Sequence, residues 1–341
     1  LKNKFLNIHK YQILLKMLTI YDDLFLKISA DLIDKDKIIL MMTSKSMGNL
    51  KYKFRYCEKI DISKISKLSY FDNFENVEIF NDVCVPKKVK CVHFKATTTK
   101  IPSCVTYLKF DYHFNELLKN CLPTSLISLK FGFRFNQPVD NLPQSITYLE
   151  FGCRFNQSIK NSIPKSVTKL KFGTYFNKSV DGEIPGSVTH LTFGKYFNQS
   201  ITIRLPKSIT HLTFSHDFNK SIKGCLPESV THLIFGWDFN QPINNYLPES
   251  VTHLTFGWDF KQSLENIPRS TKYLTFQGNP CQSIFGTIPS SVTHVAFGNC
   301  FNGLLDNIPS TVEEIRLPSN YQQIITTNIK IIRDVDKKLI F

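Results

Sequence analysis

From residue 102 onward the chain places its apolar residues at a fixed interval. A Leu-Pro or Ile-Pro dipeptide recurs with its proline at 102, 123, 143, 164, 185, 206, 227, 248, 268, 289 and 309, a spacing of 20 or 21 residues. Counting from each proline, a branched aliphatic residue falls third, Leu sixth, Phe eighth, a second Phe twelfth and another branched aliphatic sixteenth. Ser falls second, Thr fourth, Gly often ninth and Asn thirteenth. In Val230-Thr-His-Leu-Ile-Phe235 the β-branched residues and the upstream proline predict a short strand. Leu233 and Phe235 share the inward face, and His232 and Ile234 point the other way. At ~3.3 Å per residue, one unit has a contour of about 70 Å, enough for one flat coil that turns back on itself. One coil cannot bury its own apolar edge, whereas stacked coils can.

The ends of the array fray. Val89-x-x-Val92-x-Phe94 and Cys57-x-x-Ile60-x-Ile62 read as short early units, and Val312-x-x-Ile315-x-Leu317 closes the series. In the unit 269–288 the second Phe becomes Pro280 and the Asn becomes Cys281, which predicts a local defect. The tail 318–341 reads either as a capping strand with Ile329, Ile331 and Ile332 or as a loose end. Ahead of the array, Leu24, Ile28 and Leu32 lie at i, i+4 and i+8, the spacing of an amphipathic helix with Asp22 and Asp23 at its start. A break is predicted at Asp34-Lys35-Asp36, then a second short helix over Ile38–Met42. Ser44 is placed to cap a third, running toward Tyr52.

Composition refines this picture. Of 29 Phe, 19 sit in the two Phe columns, so Phe usage here is architectural. The formal charge is +14, and it is spread out: residues 1–100 carry 19 basic and 11 acidic side chains, the remainder 23 and 17. That reads as a diffusely basic surface, and a dedicated nucleic-acid footprint is not expected. The nine Cys show no C-x-x-C spacing, which speaks against a structural zinc site or a disulfide framework and for reduced thiols in a cytoplasmic or nuclear setting. No run of 18 apolar residues exists, so no membrane partner is expected. Residues 1–16 read as an extension of little structural weight.

Candidate chemistry is sparse. His190, His211, His232, His253 and His294 fill one column, but no column of carboxylates or cysteines accompanies them; an outward binding face is expected rather than a metal site. Trp237 and Trp258 occupy equivalent positions in adjacent units, and read equally as a partner-contact pair or as an innocuous residue copied by duplication. With Ile234 and Thr255, these side chains make up the expected target-binding face. In the Asn column (Asn115, Asn136, Asn156, Asn177, Asn198, Asn219, Asn240 and Asn302), Asn156, Asn177, Asn198 and Asn219 fall in N-x-S, formally a glycosylation acceptor, but the periodicity predicts a ladder that bonds adjacent coils. No nucleophile elbow, P-loop or recurrent carboxylate pair is present, so no catalytic residue, cofactor or metal is expected.

Three resemblances follow from these residues. The spacing V-x-x-L-x-F resembles the L-x-x-L-x-L core of leucine-rich repeats. The Phe-Asn and Ile-Pro units, as in Phe197-Asn198 and Ile184-Pro185, resemble the FNIP repeat of social amoebae and giant viruses. Residues 18–47 resemble an F-box, with Thr19-Ile20 where Leu-Pro is usual and Ser44 where Cys is usual. The pairing resembles F-box/FNIP-repeat proteins of giant viruses. It implies an α+β chain overall: an extension (1–17), a small three-helix F-box (18–55), a leucine-rich-repeat-like solenoid with a parallel sheet of period 20–21 (56–317, regular units about 102–309), and a cap or tail (318–341). It also implies a substrate receptor of an SCF-type cullin-RING ubiquitin ligase in host cytoplasm. Leu24, Phe25, Ile28, Leu32 and Ile38 would dock a Skp-type adaptor, and the repeats would hold a target protein. The alternatives are a repeat scaffold with a vestigial F-box and no ubiquitin role, and a basic nucleic-acid-binding solenoid.

Overall fold

Coils close on themselves because each has a proline corner, a strand and two further turns, repeated at the same positions. The computed structural model describes residues 27, 30–43, 48–278, 288–305, 308–323 and 329–334. The chain divides into two units, Leu1–Lys95 with Ile101–Leu108, and Ala96–Lys100 with Lys109–Phe341.

In the first unit, helix α1 (Asp34–Met41) precedes 3-10 turns and the parallel strands β1 (Ile60–Asp61), β2 (Asn76–Ile79) and β3 (Cys91–Ala96). Leu40, Leu50, Phe54, Tyr56, Phe74 and Val77 lie in its core, with the Tyr56 and Phe74 rings stacked at 4.6 Å. Strand β2 lies in a stretch where the sequence pattern marks no unit.

In the second unit, strands follow one another in chain order: β4 (Tyr107–Phe110, which straddles the boundary), β5 (Ser128–Lys130), β6 (Tyr148–Glu150), β7 (Lys169–Lys171), β8 (His190–Thr192), β9 (His211–Thr213) and β10 (His232–Ile234). They continue as β11 (His253–Phe256), β12 (Tyr273–Phe276), β13 (His294–Phe297), β14 (Glu314–Pro318) and β15 (Lys330–Asp334). From β5 to β15 each is parallel to the next, in strict register: His211, His232 and His253 pair across, as do Leu212, Leu233 and Leu254. Ile331 and Ile332 lie in β15, so the tail includes a strand.

The two Phe columns fill the coil interior. Phe235 stacks on Phe239 of its own coil at 3.9 Å and on Phe256 of the next at 5.8 Å, and Phe239 meets Phe260 at 6.2 Å. Each ring is buried and contributes roughly 1.5–3 kcal/mol in transfer terms. Ladders of side chains join the coils. Ser229 Oγ donates to Ile209 O at 2.7 Å and Ser250 Oγ to Val230 O at 2.6 Å, a pattern that recurs from Ser145 to Ser270. The Asn column forms the expected ladder: the N–H of Asn219 donates to Asn198 Oδ1 and that of Asn240 to Asn219 Oδ1, both at 3.1 Å. Gly recurs in the ninth column because most coils meet there backbone to backbone; a Cβ on Gly236 would clash with the Ser215 carbonyl oxygen. Late in several coils the chain turns through a left-handed residue, Asn141 and Asn245 with φ of 60° and 55°, a conformation Asn tolerates.

The fold is therefore that of a parallel β-solenoid, and the expectation of an α+β chain with a three-helix F-box is overturned. Among the described residues one α-helix is delimited, Asp34–Met41. It starts at Asp34-Lys35-Asp36, where a break was expected, because Asp34 is held from outside: its Oδ2 accepts the Glu58 N–H at 2.8 Å and its Oδ1 accepts Lys37 Nζ at 3.2 Å. Toward Tyr52 the chain forms a 3-10 turn, Asn49–Tyr52, and Ser44, expected to cap a third helix, lies outside the described residues. Leu32 sits in a bend ahead of α1. Leu24, Phe25 and Ile28 lie outside the described residues, as does the defect expected at Pro280 and Cys281. No helix of the described residues is long and apolar enough to cross a membrane.

Candidate functional site: the ring stripe and its aromatic shelf

Outward residues of parallel, in-register strands stand one above another at about 4.8 Å. This spacing turns the fifth column into a continuous stack. His190, His211, His232 and His253 follow one another with ring centroids 4.2, 4.2 and 4.1 Å apart, and Tyr273 and His294 extend the row at 4.3 and 4.6 Å. The Thr column fixes each imidazole edge. Thr231 Oγ1 lies 3.2 Å from Thr210 O and 2.9 Å from His232 Nδ1. The hydroxyl has one proton; given to the Thr210 carbonyl, it leaves the hydroxyl to accept from Nδ1–H and leaves Nε2 with a free lone pair. The same pair recurs at Thr189–His190, Thr210–His211, Thr252–His253 and Thr293–His294.

Burial in the stack disfavours the charged form of His190, His211, His232 and His253. Burial lowers the His232 pKa to about 4, helped by the charges that His253, His211 and His190 would carry. Burial also lowers His190, His211 and His253, with a neighbouring His or Lys169 adding to the effect. Ile234 and Thr255 flank the stack, half-buried in the seventh column. Trp237 and Trp258 lie in the turn after their strands, indoles stacked at 4.6 Å and nearly parallel, Trp237 41% exposed. The structure thus brings the target-face residues of the second unit onto one strand face and its adjoining turn.

Two groups on this face were not singled out in the sequence. His216 extends the Trp shelf, 5.3 Å from Trp237, and its Nδ1 lies 2.7 Å from Asp217 Oδ1 and 3.7 Å from Asp238 Oδ1. These three side chains are close enough together to hold a metal ion. The signal was present: the eleventh column reads Asp at 217, 238 and 259. At the other end of the array Glu150 sits among cations. Burial alone would raise its pKa, but Lys171, Tyr148 and Lys130 bring it down to about 2.

In the first unit, α1 turns Asp34, Lys37 and Leu40 inward. Lys37 Nζ donates to Arg55 O at 2.8 Å. The opposite side exposes Ile33, Ile38, Ile39 and Met42, by 51, 39, 39 and 81%. Of the expected adaptor-docking residues, Ile38 is in this exposed set and Leu32 is half-buried beside it.

Family comparison agrees with the columns. The FNIP Repeat model matches residues 97–134, 135–175, 155–196, 176–217, 218–246 and 239–279, together more than half of the chain. The chain is an FNIP-repeat protein. An FNIP repeat-containing protein of Acanthamoeba polyphaga mimivirus is 34% identical over 130 residues, 32% of this chain and 33% of that one. Another mimivirus protein, described as F-box and FNIP repeat-containing, is 32% identical over 128 residues, 35% of this chain and 24% of the relative. The match thus spans a third or less of either relative. Among solved structures, CroV588, described as a circular LRR protein, superposes with a TM-score of 0.59 at 36% identity, over 76% of this chain and 45% of that one. The FNIP units are accordingly a repeat solenoid of leucine-rich-repeat type.

Proposed function

We propose that this FNIP-repeat chain is a protein-interaction module that holds a target on the ring stripe and joins it to a ubiquitin ligase through its amino-terminal segment. The observation that carries the reading is the stripe itself, a row of half-exposed rings from His190 to His294 with the two stacked indoles beside it. Aromatic side chains of this kind are enriched among residues that dominate binding energy. In this reading the machinery of transfer belongs to other subunits, and the chain needs no catalytic group or cofactor of its own. The exposed apolar side of α1 supports docking of a Skp-type adaptor there, and the mimivirus relative described as F-box and FNIP repeat-containing points the same way. The chain is read as working in the cytoplasm or nucleus.

The test is co-expression with a Skp-type adaptor followed by purification on a tag carried by the FNIP chain. The wild type is expected to retain the adaptor, and Ile38→Asp combined with Ile39→Asp to lose it while keeping its thermal unfolding profile. Absence of adaptor from the wild-type complex removes the ligase role. A second reading, a repeat scaffold with no ubiquitin role, is favoured by the start of α1 at Asp34 and by the bend at Leu32, which depart from the helical arrangement expected of an F-box.

A further inference from the structure

Charge on the outward columns of the second unit is divided into zones. The coils between Lys109 and Lys171 present Lys109, Lys130, Arg134, Arg154, Lys169 and Lys171, all exposed. The carboxylate among them, Glu150, is engaged by Lys130 at 3.2 Å and by Lys171 at 2.8 Å. Rings mark the boundary: Tyr175, on the coil of Lys169 and Lys171, lies 5.0 Å from Tyr196 of the next coil, and Lys195 lies over Tyr196. The next three coils present Asp217, Asp238 and Asp259. These stand in register because the Asp238 N–H donates to His216 O and the Asp259 N–H to Trp237 O, both at 2.9 Å. Beside them runs the shelf of His216, Trp237 and Trp258.

Among the described residues, no Lys or Arg forms an ion pair with these three aspartates; His216 alone approaches two of them. In a chain of formal charge +14, this is a local reversal of sign. Carboxylates on successive coils, about 5 Å apart, repel one another, and a cation placed among them removes that repulsion. The indole edges beside them offer apolar surface to the stem of an arginine or lysine side chain. The opposite zone asks for carboxylates.

We propose that the ligand of this face is one extended protein segment of divided charge, its acidic part over the Lys109–Lys171 coils and its arginine- or lysine-bearing part on the Trp237–Trp258 shelf. The proposal rests on the interaction-module reading and names the chemistry of its target. Arg154 and Asp238 lie four coils apart, about 19 Å, which about six extended residues span. A nucleic acid satisfies the first zone and is repelled by the second, and a uniformly basic peptide does the reverse.

Trp237 and Trp258 are the only tryptophans of the chain, so intrinsic fluorescence reports directly on the acidic shelf. The probes are two synthetic peptides of identical composition and zero net charge. One carries a block of glutamates, about six neutral residues and a block of arginines; the other carries the same residues with the charges alternating. With the full chain at physiological salt, the block peptide is expected to bind about tenfold more tightly, the sum of several modest exposed pairings, and to change the tryptophan emission. Asp217→Asn, Asp238→Asn and Asp259→Asn together are expected to abolish that preference with thermal unfolding unchanged. Equal binding of the two peptides, a preference that survives in the triple variant, or tighter binding of a single-stranded oligonucleotide overturns the proposal. If a captured target protein is released by His232→Ala with His253→Ala but not by the aspartate triple variant, the divided-charge ligand fails while the interaction module stands. If neither set of variants releases it, both fail.

Discussion

Asn219→Ala removes one rung of the asparagine ladder and tests whether the ladder holds the coils together. Its Oδ1 accepts two hydrogen bonds, from the Asn240 N–H at 3.1 Å and from Gln241 Nε2 at 2.9 Å. Gln241 is half-buried and can turn to water, so its loss is small. The Asn240 N–H belongs to a packed coil and loses its partner outright; an unsatisfied half-buried donor costs about 1–3 kcal/mol. A net cost of about 2 kcal/mol is therefore expected, whereas Asn219→Asp, which keeps an acceptor in place, restores most of it. Solenoids open by neighbouring units rather than all at once, so the assay should be local. Native-state hydrogen exchange at the Asn240 amide is expected to quicken about 30-fold in Asn219→Ala. Exchange within about twofold of wild type, against that 30-fold expectation, would refute the ladder's role.

Three further outcomes follow from the same geometry. Gly236→Ala drives a Cβ into the Ser215 carbonyl and is expected to cost at least about 1–3 kcal/mol, while Gly186→Ala, where nothing lies within 4 Å of the added carbon, is expected to be near neutral; denaturant unfolding of the pair checks it. Phe239→Ala opens a cavity beside Phe235, Phe218 and Phe260 and is expected to cost about 3–5 kcal/mol in the same assay. The stacked His residues have folded pKa values below the unfolded value of 6.5, to about 4 at His232. The unfolded chain therefore takes up protons first as pH falls. Stability is expected to be full above pH 6.5 and to decline toward pH 4, and His232→Gln with His253→Gln is expected to flatten that decline in thermal melts.

The repeat columns were legible because each position meets the same neighbour in every coil, so inward Leu233 and Phe235 and the Asn ladder could be read from alternation and period alone. The amino-terminal helix was misplaced because its start depends on Glu58, 24 residues away, whose N–H binds Asp34; local spacing carries no trace of that bond. Part of the site was also legible. The His column and the Trp pair stood out as repeats of one residue type, but the charge zones did not. They emerge only when Arg134, Arg154, Asp217, Asp238 and Asp259 are seen as a single line running along the stack.

The Ser, Thr and Asn ladders make the joints between the regular coils alike, and a coil can then be gained or lost without redesigning its neighbours. The near-identical stretches Leu226–Tyr246 and Leu247–Asn266 are consistent with such a copying event. A coil added between the cationic and the acidic zone would lengthen the gap by one strand spacing, about 4.8 Å, and leave both zones intact, whereas one copied within the acidic zone extends that zone. Binding preference in such a lineage can change in discrete steps of length, through the number of coils, before any contact residue is altered.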